Sequence, residues 1–143
     1  MRPLHLFLTL LLGVTAAFAP SLRAQGVQPV PALTGHVIDL TATLSTEDLR
    51  SLEARLTELE TTRGSQVVIL MVASTQPEDV SSYANRVGND WKIGRKGVGD
   101  GLLILVAKDD RKVRLEVAKS LEGAIPDLAA QQIIDTAITP AFR

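Results

Sequence analysis

The stretch from Gln66 to Ala73, Gln-Val-Val-Ile-Leu-Met-Val-Ala, constrains the fold of this chain more than any other segment. It is a short, continuous apolar run with turn-forming sequence on both sides, which fits a strand covered on both faces. Leu102 to Ala107 is a second run of the same kind. Lys108-Asp109-Asp110-Arg111 links it to Lys112 to Ala118, where Val113, Leu115 and Val117 alternate with Arg114 and Glu116. The spacing predicts a hairpin whose second strand exposes one face.

Helices alternate with these strands. Ser45 caps a helix that starts near Thr46, and the acids Glu47 and Asp48 suit its positive end. Leu49, Leu52, Leu56 and Leu59 then fall on one face, and Gly64 supplies the stop. Pro77, Glu78 and Asp79 open a second helix with Val80, Tyr83, Val87 and Trp91 on one stripe. Pro126 and Asp127 introduce a third, carrying Leu128, Ile133, Ile134 and Ala137 and ended by Pro140. Val37 to Leu40 is a short apolar stretch ahead of the first helix, and Gln25 to Gly35, with Pro29 and Pro31, reads as an extended leader that connects without building the core. This order predicts an α/β fold with helices layered on a small mixed sheet, in one domain.

The N-terminus predicts export. Arg2 precedes an apolar run from Leu4 to Ala19 that Pro20 closes, shorter than the roughly 20 residues of a spanning helix. Cleavage after Ala24 leaves Gln25 as the first residue, placing the domain in a periplasmic or extracellular setting; an uncleaved signal tethers it to the membrane. The chain has no cysteine, so disulfides, thiolate metal sites and Cys nucleophiles are excluded. Loss of Arg2 and Arg23 from the 15 basic residues leaves 13 against 16 acids, a net charge of −3. No basic face suited to nucleic acid or to a membrane surface is visible.

Catalytic sets are sparse. His36 is the one histidine beyond the signal, and its position in the leader suits a surface side chain rather than a Ser-His-Asp triad. Gly94-Arg95-Lys96-Gly97-Val98-Gly99-Asp100-Gly101 has the glycines of a phosphate loop, but it follows a helix and leads into a strand, the reverse of a nucleotide-binding context. Asp39, Asp100, Asp109, Asp110, Glu122 and Asp127 fall in turns or at element ends, where hard cations such as Ca²⁺ or Mg²⁺ find oxygen ligands. Lys92, Arg95 and Lys96 flank the glycine loop and suit an anionic group.

With these segments in view, the chain resembles the TPM domain family. The resemblance rests on Val37-Ile38-Asp39, Leu44-Ser45, Gln66-Val67-Val68-Ile69, Trp91-Lys92-Ile93-Gly94-Arg95-Lys96, Gly99-Asp100-Gly101 with the run that follows, Leu121-Glu122-Gly123 and Pro140-Ala141-Phe142-Arg143. It implies a three-layer α/β/α sandwich with helices on both faces of the sheet, residues 36–143 forming the domain, and a location outside the cytoplasm. It also implies divalent-cation binding, with Asp39, Asp100 and Glu122 lining a cleft and Asp127 as a fourth acid. Family members include bacterial envelope proteins, thylakoid-lumen photosystem II repair proteins and acid phosphatases of modest activity. Two departures stand out: Ala118-Lys119-Ser120 replaces the family's Gly-Tyr-Gly, and the family pattern continues past Arg143.

The expected function is an accessory or assembly and repair module acting on an envelope or membrane protein, with Ca²⁺ or Mg²⁺ bound. The alternative is a metal-assisted phosphomonoesterase in which Lys96 or Arg95 offsets phosphate charge.

Overall fold

The computed structural model describes residues 26–94 and 100–118. Four strands and two helices follow one another as β1 (Val37–Asp39), α1 (Thr46–Arg63), β2 (Gln66–Val72), α2 (Val80–Trp91), β3 (Gly101–Ala107) and β4 (Lys112–Val117). The strands lie side by side in sequence order, β1 parallel to β2, β2 parallel to β3, and β3 antiparallel to β4. This is the mixed sheet and hairpin expected from the apolar runs. The third helix and the signal fall outside the described residues.

The helix ends form where capping chemistry places them. Ser45 Oγ accepts the Asp48 N–H at 3.1 Å, and Gly64 closes α1 in the left-handed region, φ 77°, with its N–H on Glu60 O. Asp79 caps α2 through the Ser82 N–H at 2.9 Å. The helix begins at Val80, three residues after the Pro77 with which the sequence reading opens it, because Asp79 is the residue whose side chain caps the first turn.

The core sits between β2, β3 and α2. Val68, Leu70, Leu103, Leu105, Tyr83, Ala84 and Val87 are all at most 1% exposed. Alternate strand residues point to opposite faces, so Ile38 joins this cluster while its neighbour Val37 lines a groove with α1. The two helices thus cover opposite faces. On the α1 face, burial is lighter: no α1 residue is fully buried, and its leucine stripe is only partly covered.

Two sequence expectations change here. Val37 to Leu40 contains a true strand, too short to show a period. The leader does build the core: Val30 packs against the main cluster, and residues 28–31 are held by α2 through side-chain hydrogen bonds. The absence of apolar periodicity hid this, because the leader is held largely through its backbone carbonyls.

Candidate functional site

The parallel strands give the sheet two chemically different ends. At the end where β1 finishes and β3 runs into the hairpin, the acids serve the backbone. Asp39 accepts four hydrogen bonds, from the Thr41 N–H and hydroxyl and from the Thr43 and Leu44 N–H groups, at 2.5–2.8 Å. Burial opposes its charge, but these donors outweigh burial and hold its pKa below the ordinary aspartate value. Asp110 likewise accepts from Ser74 Oγ and the Thr75 N–H. Both carboxylates organise loops.

At the opposite end stands Asp100, 5% exposed, immediately before β3. Its carbonyl accepts the Gln66 N–H at 3.2 Å, and the Gln66 side chain in turn accepts the Gly94 N–H at 2.8 Å. The chain leaving α2 passes directly over Gly101, where a Cβ would lie 2.7 Å from the Ile93 backbone. Only glycine accommodates that approach. Lys92 caps α2 at this same end in the left-handed region, φ 50°, with an exposed side chain. β4 also finishes here, since the Ala118 N–H donates to Gly101 O at 2.9 Å.

The structure therefore separates residues that the sequence grouped. Asp39 aligns with Met71 and, through it, with Val106, whereas Asp100 precedes the first residue of β3. At roughly 3.3 Å per residue the two carboxylates are about 20 Å apart along the strands, too far to share a cation. The expectation of one cleft lined by both is corrected by strand direction: in a parallel pair, the C-terminal end of one strand and the N-terminal end of the other cannot be neighbours. Asp100 and Lys92 do come to one end. Glu122, Asp127, Arg95 and Lys96 lie outside the described residues. Among the described residues, no group of three or more His, Asp or Glu side chains assembles into a metal-holding set, so Asp100 is the sole expected ligand that can be located at its end of the sheet.

His36 is not the isolated surface residue that its leader position suggests. Its Nδ1 lies 2.8 Å from Glu53 Oε1 and its Nε2 2.5 Å from Glu60 Oε2. Glu53 additionally accepts the N–H groups of His36 and Val37 at 2.9 Å. Burial pulls the imidazole pKa down, but the bonds to Glu60 and Glu53 overcome burial and raise it. A neutral imidazole has one N–H, so donation to both carboxylates requires the charged ring. The histidine thereby pins α1 to the start of β1 and has no nitrogen left for general-base chemistry. Glu53 and Glu60 stand two turns apart on one helix flank, the only sequence signal that pointed to this contact.

A groove of about 790 Å³ runs beside α1, lined by Val37, Leu49, Ala54, Thr57 and Thr61 among others. It contains none of the expected site residues. No described helix is long and apolar enough to cross a membrane.

Comparison with known proteins agrees with the fold. The family model for the TPM domain matches residues 37–143. The N-terminal domain of a protein from P. gingivalis is similar at 26% identity, with a TM-score of 0.69 over 77% of this chain and 70% of that one. The N-terminal domain of a Corynebacterium glutamicum protein shares the fold at 16% identity, with a TM-score of 0.61 over 81% and 76% of the two chains. No curated protein matches the chain significantly.

Proposed function

This chain belongs to the TPM domain family, and on that premise we propose that it is an extracytoplasmic, non-catalytic module that takes Ca²⁺ or Mg²⁺ at the Asp100 end of the sheet and serves as an accessory or assembly factor for an envelope or membrane protein. The observation that carries this reading is Asp100 itself. Asp100 is only 5% exposed, next to the glycine loop and beside the point where β4 ends, five residues before Glu122, and an acid at such a loop is the kind of oxygen ligand a hard cation takes. Export rests on the apolar N-terminus, which precedes the described residues.

The non-catalytic part rests on His36. Its two ring nitrogens face Glu60 and Glu53, and among the described residues no Ser, Thr or Tyr hydroxyl is paired with another histidine, because His36 is the one histidine beyond residue 5. Lys92 near Asp100 favours a second reading, phosphomonoester hydrolysis at a bound cation, in which the lysine would hold a phosphate oxygen and the cation would supply charge neutralisation.

Calorimetric titration with Ca²⁺ and Mg²⁺, run beside a p-nitrophenyl phosphate assay, separates the two. Binding without turnover supports the accessory module. Turnover that Asp100→Asn abolishes moves the assignment to the hydrolase, and turnover indifferent to Asp100→Asn removes this end of the sheet from either role.

A further inference from the structure

The N-terminal strap is bound to α2 in the manner of a ligand. Three side chains on the helix donate to three strap carbonyls: Arg86 Nη2 to Gln28 O at 2.7 Å, Tyr83 Oη to Pro29 O at 3.1 Å and Trp91 Nε1 to Pro31 O at 2.8 Å. Val30 inserts between them onto the core. Pro29 and Pro31 fix φ near −65° and bias Gln28 and Val30 to extended backbone, so the segment arrives already shaped as polyproline II. Such a segment has few N–H groups to satisfy and displays its carbonyls outward, which is what the donors and aromatic faces of α2 read.

The donor surface is itself prepared. Arg86 is fixed by Glu78 Oε2 at 2.8 Å and lies over the Tyr83 ring, 5.2 Å from its centroid. Tyr83 is 1% exposed. The contacts read three backbone carbonyls, the Val30 side chain and the Gln28 amide, which donates to Gln76 O at 3.1 Å. The strap residues also lie outside the stretch matched by the TPM domain, residues 37–143, whereas α2 lies within it.

We propose that Tyr83, Arg86 and Trp91 form a docking site for a proline-rich extended segment of another polypeptide, held in this structure by the chain's own residues 28–31. The strap competes with such a partner at the millimolar effective concentration typical of a short tether, so it sets an affinity threshold: a partner segment binding more tightly than that displaces it. The site uses none of the acids proposed to hold the cation and stands or falls independently of it.

Trp91 is the chain's single tryptophan, so its emission reports the site directly. Val30→Asp in the full chain loosens the strap and is expected to red-shift Trp91 emission while far-UV circular dichroism stays unchanged. A synthetic peptide with the sequence of residues 26–33, Gly-Val-Gln-Pro-Val-Pro-Ala-Leu, is then expected to restore the blue-shifted emission saturably. Replacing both peptide prolines by alanine, or adding Arg86→Ala to the protein, is expected to weaken binding about tenfold. If Val30→Asp does not fold, Pro29→Gly with Pro31→Gly takes its place. No saturable response to millimolar peptide on a folded variant overturns the proposal. Equal binding of the alanine peptide overturns its proline selectivity, and a concentration-dependent wild-type dimer that dissociates when Pro29 and Pro31 become glycine identifies a second copy's strap as the occupant instead.

Discussion

Nε2 of His36 lies 2.5 Å from Oε2 of Glu60, two turns of α1 beyond the Glu53 carboxylate that holds Nδ1. The ring and its partners make stability depend on pH in two directions. A histidine pKa raised by folding contributes stability that is fully present below the unfolded value near 6.5 and is lost as pH rises through the folded value. Glu53, whose pKa is lowered by folding because His36 and Val37 donors outweigh burial, contributes stability present above about 4.5 and lost as pH falls through its folded value. The clamp is therefore strongest between about pH 4.5 and 6.5.

His36→Gln should lower Tm by a few degrees in that window, corresponding to about 1 kcal/mol after allowance for the exposure of both glutamates. The gap between wild type and variant should narrow at higher pH. Melts from pH 4 to 9 measure it, and a gap that is constant with pH contradicts the clamp.

Asp39 is expected to matter for stability and not for cation binding. Asp39→Ala removes the acceptor of three backbone N–H groups and one hydroxyl and should cost about 2 kcal/mol. Any stabilisation by Ca²⁺ or Mg²⁺ should survive the substitution. Loss of the cation response in a folded Asp39→Ala protein would return Asp39 to the binding set.

Two glycines should respond oppositely to alanine. At Gly101 a Cβ meets Ile93 Cγ2 at 2.6 Å and the Ile93 backbone at 2.7 Å, and since backbone must move, Gly101→Ala should destabilise by about 1–3 kcal/mol. At Gly88, inside α2, the nearest atom is the flexible Glu116 Cγ at 3.4 Å. Gly88→Ala should be neutral or raise stability by up to about 1 kcal/mol through helix propensity. Denaturant melts of both variants test the pair.

Elements with a period or a cap were readable from the residues alone. Ser45, Gly64 and Asp79 mark helix ends through their own backbone chemistry, and the runs beginning at Gln66 and Leu102 have no environment but a covered strand. The sites were less readable because their partners are distant. Nothing near His36 in sequence indicates Glu53 or Glu60, and nothing near Pro29 indicates Tyr83. Asp39 and Asp100 look alike as turn acids, and only strand direction sends them to opposite ends of the sheet. Burial separates them further, since Asp100 is enclosed at the start of β3 while Asp39 spends both oxygens on its own loop.

A divalent cation at the Asp100 end of the TPM domain is testable by thermal melting of residues 25–143 in EDTA, Ca²⁺ or Mg²⁺, repeated on Asp100→Asn. A ligand that binds only the folded state must raise Tm, by about 2.7 kcal/mol of stability at a hundredfold excess over Kd. Cation binding there should give a rise with Ca²⁺ or Mg²⁺ that Asp100→Asn abolishes while its melt in EDTA remains cooperative. An unchanged Tm across EDTA and both cations, or a rise that persists in Asp100→Asn, rules out a cation held by Asp100.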